Sequence, residues 1–303
     1  MKTLLRFTLI LALAMGFISC EEEETNQMNE PQTIAQIASA DANFSTLVSA
    51  LDRTGLTDVL NTAGNYTVFA PTNDAFQSLG VDLGTLTDDQ LTEILLYHVL
   101  GAKVMAEDIA TGKSYVSTAA ATGPGNKALS LLIDNTGSVM LNNKATVTTA
   151  NVEASNGVIH VIDEVILPLD IVGHASANSN FTQLVGALSN ASLVEALQAD
   201  GPYTVFAPVN SAFEAISTTV EGLSTEELAN ILKYHVVTPA HVRSTDLSDG
   251  MEVTALNEGM FVVNLGASVT ITDGSDANAT VVLTDVQATN GVIHVIDKVL
   301  LPE

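Results

Sequence analysis

The sequence predicts an α+β protein that contains two tandem domains of one fold. The first observation is a duplication, since YTVFAPTNDAF beginning at Tyr66 recurs as YTVFAPVNSAF beginning at Tyr203. The second is that each copy starts with apolar residues at helical spacing. The third is that each copy ends in segments rich in Val, Thr and Ile and separated by turn residues, which indicate strands. Because helices precede the strands instead of alternating with them, a parallel βαβ sheet is not expected.

Residues 1–19 are predicted to be an export signal outside the fold. Lys2 and Arg6 give a positive start, and the apolar run that follows is short for a membrane span. Cys20 comes directly after this run and is the only cysteine, so an intrachain disulfide is excluded. The layout resembles a bacterial lipoprotein signal, in which the mature N-terminal cysteine carries a lipid. A plain secretory signal and an uncleaved anchor are the alternatives.

Residues 20–32 are predicted to be the lipidated cysteine and a flexible acidic tether. The stretch EEEETNQMNEPQ combines charge with low hydrophobicity and cannot bury enough surface to fold. An acidic run beside a lipidated cysteine resembles a surface-export signal of some Gram-negative bacteria. The expected location is therefore the outer membrane, with the folded part displayed outward.

Charge and size limit the classes of function. The chain has 10 basic and 35 acidic residues, and removal of Lys2 and Arg6 with the signal leaves a net charge of −27. Such a surface repels phosphate backbones, so no nucleic-acid partner is expected. The hydrophobic fraction of 47% is sufficient for folded cores. Domains are predicted at residues 33–168 and 169–303, joined by a linker so short that they are expected to touch.

Each unit has clear element signals. The residues Phe44, Leu47, Val48 and Leu51 form one apolar helical face. The segment Tyr66–Ala70 is predicted to be a buried strand. A later helix begins in both units with a capping box, TDDQ in the first and STEE in the second. The remainder of each unit predicts several antiparallel strands.

The duplicated stretch is interpreted as scaffold. Thr72 and Asp74 of the first copy become Val and Ser in the second, which excludes a shared chemistry that needs the hydroxyl or the carboxylate. The prolines are predicted to end the strand, the asparagines to cap the following helix and the phenylalanines to enter the core. The residues retained in these roles are Pro71, Asn73, Phe76, Pro208, Asn210 and Phe213.

The closing strands of each unit are predicted to form a hairpin. Its turns are assigned to Asn156-Gly157 and Asn290-Gly291, as two-residue type I′ turns. This register puts His160 opposite Glu153 and His294 opposite Gln287. Because a charged pair is possible in only one copy, the histidines are interpreted as hydrogen-bonded sheet residues and not as catalytic groups.

A Tyr-His pair follows the later helix of each unit, as Tyr97-His98 and Tyr234-His235. Each histidine lies at the end of an apolar helical stripe, where a hydrogen-bonded core residue is more common than a catalyst. The helix C-terminus is expected to favour the protonated imidazole. His241 has Val104 at the equivalent offset in the first unit, which argues against a metal site made of two histidines.

The strand–Pro–Asn–helix stretch, the Tyr-His pair and the closing NGVIHVIDEVILP segment occur in the same order in both units. In this order they resemble fasciclin domains, and the resemblance covers residues 33–303. It implies two tandem domains, each a β-sandwich-like wedge with helices packed beside it. It also implies cell adhesion and contact with extracellular matrix, without a general catalytic activity.

In animal fasciclin domains, a Tyr-His region and a nearby Asp-Ile motif are implicated in receptor contact. The second unit has Asp-Leu in place of Asp-Ile. The resemblance carries an adhesion contact to Tyr97, His98, Asp108, Ile109, Tyr234, His235, Asp246 and Leu247. For the Tyr-His pairs, a structural role in the core is the preferred interpretation and the adhesion contact is the alternative.

The remaining motifs predict no enzyme, cofactor or metal site. The chain lacks a nucleophile elbow, a phosphate loop, HExxH and a cysteine cluster. The stretch Asp273-Gly274-Ser275-Asp276 does not fit an EF-hand and is interpreted as a polar hairpin turn. We therefore expect a lipoprotein that binds protein or polysaccharide partners at the cell surface, with a periplasm-facing ligand-binding or envelope-structural protein as the alternative. A functional face is expected where the two copies differ.

Overall fold

The computed structural model describes residues 31–217, 222–275 and 277–302. The predictions for the export signal, Cys20 and most of the tether lie outside these residues. Within them, no helix is both long enough and apolar enough to cross a membrane. The predicted fold class is confirmed, because two domains of mixed α and β content follow each other along the chain.

The first domain begins with its helices. They are α1 (Ile34–Ala40), α2 (Ser45–Thr54), α3 (Leu56–Asn61), α4 (Asn73–Leu79) and α5 (Asp88–Tyr97). Its strands are β1 (Tyr66–Pro71), β2 (Val99–Leu100), β3 (Gly112–Ser117), β4 (Ser130–Asn135), β5 (Met140–Leu141), β6 (Ala145–Ala154) and β7 (Gly157–Ile162). Short 3₁₀ helices occur at Ala42–Phe44, Leu83–Thr85 and Ala106–Asp108.

The second domain repeats this order. Its helices are α6 (Ile171–Ala177), α7 (Thr182–Asn190), α8 (Val194–Gln198), α9 (Asn210–Glu214) and α10 (Thr225–Tyr234). Its strands are β8 (Tyr203–Pro208), β9 (Val236–Val237), β10 (Met251–Thr254), β11 (Met260–Leu265), β12 (Val269–Thr272), β13 (Ala279–Ala288) and β14 (Gly291–Ile296). Its 3₁₀ helices are Ser179–Phe181 and Ser244–Asp246.

Within the described ranges each domain has one seven-stranded sheet. The strand orders are β2-β1-β7-β6-β5-β4-β3 and β10-β11-β12-β13-β14-β8-β9. Neighbouring strands are antiparallel except at β1–β7 and β8–β14, which are parallel. The expectation of antiparallel strands was incomplete, because the last strand of each domain returns beside the first after a connection long enough for parallel pairing.

Each domain buries both faces of its central parallel pair. On β1, Val68 and Ala70 point towards the helices, whereas Phe69 points to the other face, as the alternation of a strand requires. On that other face, the two halves of the sheet enclose a second core, which makes the wedge. The buried residues of this second core include Phe69, Tyr97, Leu131, Ile133, Leu141 and Ile162.

The predicted hairpin turn and its register are wrong. The loop is Ser155-Asn156, and Ala154 pairs with Gly157. Neither loop residue has the positive φ that a type I′ turn requires. The Asn156 side chain is used elsewhere, since its Oδ1 accepts from the Ile34 amide at 3.0 Å and its Nδ2 donates to carbonyls at the end of α3. Asn290 makes the equivalent bonds in the second domain.

The glycine after each of these asparagines is required by the parallel pairing. A Cβ on Gly157 would lie 2.1 Å from the Tyr66 carbonyl oxygen, and one on Gly291 would lie 2.2 Å from that of Tyr203. The Asn-Gly pair therefore joins helix and sheet. The asparagine side chain forms hydrogen bonds to two helices, and the glycine leaves room for the carbonyl of the neighbouring strand.

The two domains contact each other. The Gln287 amide on β13 donates to Ser130 Oγ on β4 at 2.9 Å. Asn178 Nδ2 donates to the Tyr115 hydroxyl on β3 at 3.1 Å. The Tyr115 ring also meets the ring of His174 edge-on, with centroids 5.7 Å apart. The outer face of β3 and β4 thus packs against α6 and β13.

Candidate functional site

The Tyr-His pairs lie in the interior of both domains. The Tyr97 side chain is fully buried, and its hydroxyl donates to the Ser130 carbonyl at 2.8 Å while accepting from Asn142 Nδ2 at 3.0 Å. Burial raises the pKa of this phenol far above its ordinary value. In the second domain, the Tyr234 hydroxyl donates to the Met260 carbonyl at 2.5 Å. Both tyrosines thus hold the helical layer to the outer half of the sheet.

Each histidine of these pairs satisfies both ring nitrogens with backbone groups. His98 Nδ1 donates to the Ile94 carbonyl at 2.7 Å, and its Nε2 accepts from the Ile166 amide at 3.1 Å. His235 makes the same bonds to Ile231 and Leu300, both at 2.8 Å. These partners assign the neutral tautomer with the proton on Nδ1.

Burial lowers the pKa of both His98 and His235 to about 4. The expectation that the helix C-terminus favours the imidazolium is therefore wrong. Removal of the ring from water outweighs the attraction of the helix end, and an adjacent amide N–H occupies the second nitrogen. The rings lock the end of the helix to the segment that follows the last strand.

Of the eight residues assigned to an adhesion contact, two carboxylates are exposed. Asp108 and Asp246 lie on the 3₁₀ turns Ala106–Asp108 and Ser244–Asp246. Ile109 is buried, Leu247 is half-buried and both Tyr-His pairs are inside. A partner docked on the folded surface can reach the two turns without touching the Tyr-His rings.

The remaining two repeated histidines support these turns from below. His160 Nε2 donates to the Val104 carbonyl at 2.9 Å, and its Nδ1 accepts from the Asn151 amide at 3.3 Å. The ring stacks on Phe69 with centroids 5.6 Å apart. His294 has the same environment, against Val242, Asp285 and Phe206. The predicted pairings of His160 with Glu153 and of His294 with Gln287 are wrong, because the position of the loop pairs Glu153 with Val158 and Gln287 with Val292. A β-bulge between Thr149 and Val152 in β6 shifts the register again farther along the hairpin.

The bulge residue itself holds the exposed turn. Asn151 has φ of 61°, in the left-handed region, and its Oδ1 accepts from the Ala106 amide at 2.9 Å. Its Nδ2 donates to the Glu107 carboxylate at 2.9 Å. Asp285, with φ of 62°, accepts from both the amide and the hydroxyl of Ser244. Sequence reasoning missed these residues, whose one signal is that Asn and Asp tolerate left-handed backbone.

Asn73 and Asn210 cap a helix other than the predicted one. Helix α4 is capped by Thr72, whose hydroxyl accepts from the Ala75 amide. Asn73 Oδ1 accepts from the Thr46 amide at 2.9 Å, in the first turn of α2. Asn210 does the same for Gln183 in α7 at 3.0 Å. The reason is packing, which brings the start of α2 closer to the asparagine than its own helix amides. Pro71, Pro208, Phe76 and Phe213 are buried beside this junction.

Both domains match one family model. The model of the fasciclin domain matches residues 42–168 and again residues 179–302, which together make up most of the chain. The chain belongs to the fasciclin family. Its two fasciclin domains carry the motifs described above at equivalent positions.

Relatives occur in bacteria, fungi and animals. The chain is 39% identical over 189 residues to protein sll1483 of Synechocystis, covering 55% of this chain and 99% of that protein. It is 28% identical to human periostin, covering 83% of this chain and 30% of periostin. A fasciclin-like arabinogalactan protein of Arthroderma benhamiae is 30% identical, with 81% of this chain and 60% of that protein covered. The chain thus spans only part of the last two relatives.

A solved structure shares the fold. It is a fasciclin domain pair from the insect cell adhesion molecule fasciclin I, with a TM-score of 0.52 and 20% sequence identity. The match covers 86% of this chain and 97% of the solved pair.

In the second fasciclin domain, the predicted polar turn near Asp273 contacts the ammonium group of Lys298, which follows the last strand. The Asp273 carboxylate is fully buried, accepts from the Leu301 amide at 2.7 Å and lies 3.5 Å from Lys298 Nζ. The ammonium also donates to the Ser275 hydroxyl and the Ala277 carbonyl, so it occupies the space between these oxygens. Asp276 lies outside the described residues. Within those residues, no group of three His, Cys, Asp or Glu side chains is arranged to hold a metal ion.

The two fasciclin domains differ most informatively where they meet. The residue equivalent to His241 is Lys103, since each follows an alanine whose carbonyl accepts from a strand threonine. The offset that assigned Val104 to this position was wrong by one residue. Four positions of the second domain lie at or beside the contact: His174, Asn178, His241 and Gln287. Their equivalents on the uncovered first domain are Ile37, Asp41, Lys103 and Glu153.

These exchanges remove charge from the face that becomes covered. In the first domain, Lys103 and Glu153 form an ion pair of 3.0 Å in contact with water. In the second, His241 Nε2 and Gln287 Oε1 are 2.8 Å apart and Gln287 is buried. A buried ion pair would have to give up the hydration of two charges, which costs more free energy than burial of the uncharged Gln287 amide.

Proposed function

We propose that this protein is a cell-surface adhesion lipoprotein that binds protein or polysaccharide partners through turns displayed by its two fasciclin domains. The observation that carries this proposal is the support beneath Ala106–Asp108 and Ser244–Asp246. Each turn is exposed, carries an aspartate and is tied by a bulge residue to a buried histidine. The similarity to a domain pair from an insect cell adhesion molecule supports the same class of function.

The proposed mechanism is recognition by preorganised surfaces. Because the backbone of each turn is already held by the sheet, a partner does not have to order it on binding. One turn offers a small contact of modest affinity. Two turns in one chain, and many chains on one cell, raise the effective affinity by avidity. The net charge of −27 on the processed chain favours partners that are neutral or basic.

The contact is tested by removing the two exposed carboxylates. The double variant Asp108→Asn with Asp246→Asn keeps size and shape, and cells that display it are expected to attach less to matrix or polysaccharide coatings. The matched control is Asp58→Asn with Asp200→Asn, which removes the same charge from exposed positions elsewhere. Equal attachment by both double variants would contradict a role for the turns.

The membrane attachment is tested at Cys20. Its position after the apolar run supports lipidation, so Cys20→Ala is expected to lose labelling by a fatty-acid probe and to leave the membrane fraction. Cys20→Ser serves as a second variant of nearly the original size. Unchanged fractionation of both variants would contradict the anchor.

A periplasm-facing ligand-binding or envelope-structural protein is the second candidate function, because the orientation in the membrane depends on residues outside the described part. Protease added to intact cells separates the two. Surface display predicts loss of the protein under conditions that spare a periplasmic marker. Complete protection, with digestion after the outer membrane is permeabilised, would favour the second candidate.

A further inference from the structure

His174 is a buried histidine at the contact between the two domains. Its side chain is 1% exposed and lies on α6 against the edge of the Tyr115 ring. Among the described residues, neither ring nitrogen has a hydrogen-bond partner. The Gln287 main chain lies near the ring, without the geometry of a hydrogen bond. The other buried histidines, at positions 98, 160, 235 and 294, each engage both nitrogens.

An ionisable ring is not needed here for packing. Ile37, the equivalent residue of the first domain, is half-buried and packs against the helical core. The fold therefore accepts an aliphatic side chain at this position of the helix. The second domain instead carries an imidazole and covers it with the first domain, which leaves a titratable group inside the contact.

Among the residues that the structure describes, no counter-charge faces this ring. The charged and titratable groups on the surrounding segments are Lys113 and Tyr115 on β3, Lys127 in the loop that packs against Gln287, Asp134 on β4, Asp170 before α6, Glu195 on α8, His241, Asp285 on β13 and His294 on β14. Lys127 would carry the same sign of charge as a protonated ring. Lys113 pairs with Asp134 at 2.8 Å, and Asp170 accepts from the Gly173 amide. Asp285 accepts from the Ser244 amide, and Glu195 is exposed. His241 and His294 are hydrogen-bonded to Gln287 and Val242, respectively. A proton on His174 would thus create a buried and uncompensated charge.

We propose that His174 is an acid-sensitive latch between the two fasciclin domains, whose protonation opens the contact of β3 and β4 with α6 and β13. The neutral ring keeps this contact closed by packing against Tyr115. Opening gives the charged ring access to water and so removes the desolvation that disfavours the proton in the closed form. Within the part of the chain that the structure describes, the direct polar bonds between the domains are Ser130 with Gln287 and Tyr115 with Asn178, and opening breaks both.

The direction and size of the effect follow from linkage. Burial lowers the pKa of His174 to about 4 in the closed form, whereas a hydrated histidine has a pKa of about 6.5. The closed form is therefore fully favoured above pH 6.5 and loses this advantage as the pH falls towards 4. The ratio of open to closed molecules rises by up to about tenfold per pH unit between these two values, and the total change of about 300-fold is complete only below pH 4.

Small-angle X-ray scattering of the full chain tests the proposal. The radius of gyration is measured between about pH 7 and pH 4.5, with far-UV circular dichroism on the same samples to follow folding of the domains. We expect the wild type to expand at acid pH with its dichroism retained. The matched variant is His174→Ile, which installs the residue of the first domain and is expected to stay compact throughout.

Three results would overturn the latch. They are an unchanged radius in the wild type, expansion of His174→Ile at the same pH as the wild type, and loss of dichroism together with expansion. If His174→Ile does not fold at pH 7, carbon-13 NMR of the wild-type histidine rings decides the question. A ring that titrates near 6.5 while the chain remains compact would contradict the proposal, and a ring that titrates only as the radius grows would support it.

Discussion

At the residue scale, the buried histidines show how one residue type is used as a structural connector. His98 and His235 each take a proton-donor role at Nδ1 and an acceptor role at Nε2, which only the neutral ring can do. Their place within each core explains why they recur in both copies. It also makes the stability of the chain depend on pH.

We expect the protein to lose stability as the pH falls from 6.5 to 4. The folded state lowers the pKa of His98 to about 4. Below pH 6.5 the unfolded chain therefore binds a proton that the folded protein does not bind, and this binding stabilises the unfolded chain. The resulting loss in the free energy of unfolding is up to about 3 kcal/mol for one such histidine. Urea denaturation at several pH values measures it, with His98→Gln as the comparison. The variant should be less stable at pH 7 and lose less on acidification, and an equal loss in both proteins would refute the assignment.

Gly157→Ala is expected to destabilise the first domain by about 2–4 kcal/mol. The new Cβ would meet the Tyr66 carbonyl oxygen at 2.1 Å, so the parallel strands must separate. Gly137→Ala is the matched control, since a Cβ there meets nothing within 4 Å. Urea denaturation followed by circular dichroism compares the two, and equal midpoints would show that the strand pair tolerates the methyl group.

At the element scale, helix ends are stabilised by side chains from other parts of the chain. The asparagines of the duplicated stretch cap α2 and α7, and those of the closing hairpin bind the start of the first helix of each domain. Sequence reasoning identified both asparagines as structural and assigned them the wrong partners. Local spacing indicates that a cap is available, whereas the helix it caps depends on how the helices pack.

Asn73→Ala is expected to cost more stability than Thr72→Val. Asn73 binds both the Thr46 amide and the Ala42 carbonyl, so its loss should cost about 1–2 kcal/mol. Thr72 caps only its own short helix, and the second domain has Val209 in this position without a side-chain cap. Thermal denaturation of the two variants compares their losses of stability. A larger loss for Thr72→Val would contradict the packing argument.

The bulge is expected to depend on backbone conformation more than on side-chain bonds. Asn151→Val forces a β-branched residue to φ of 61°, at about 1–3 kcal/mol, in addition to the lost bonds. Asn151→Gly loses the same bonds to Ala106 and Glu107 without the strain. Hydrogen exchange at the Ala106 amide should rise in both variants, and global stability should fall further in the valine variant. Equal stability of the two would indicate that the bulge has relaxed.

At the scale of the whole molecule, sequence differences between the two domains explain why the outer sheet face of the first domain is covered by the second, whereas the equivalent face of the second domain is exposed. Ser130 and Met260 are equivalent, because each supplies the carbonyl that accepts from the buried tyrosine. Ser130 is covered by the other domain, whereas Met260 is 55% exposed. One outer face is thus fitted to a partner domain and the other is not, although both belong to the same fold.

Ser130→Met is expected to separate the domains without unfolding them. The larger side chain has no room where Ser130 Oγ accepts from the Gln287 amide, whereas the equivalent position of the second domain already carries methionine. Small-angle scattering should show a larger radius with unchanged circular dichroism. Met260→Ser is the control and should leave the radius unchanged, and a compact Ser130→Met protein would contradict the assigned contact.

The sequence by itself determined the duplication, the α+β class, the capping boxes of α5 and α10 and the structural character of the repeated histidines. These properties depend on residue type and short spacing, which act within one or two turns of chain. The tertiary structure decided the parallel central strands, the hairpin register, the helices that the asparagines cap and the face on which the domains meet. Each of these depends on groups far apart in sequence, such as Asn156 with Ile34 or Ser130 with Gln287. Spacing indicates which groups can bond, and only the packed chain decides which of them come within reach.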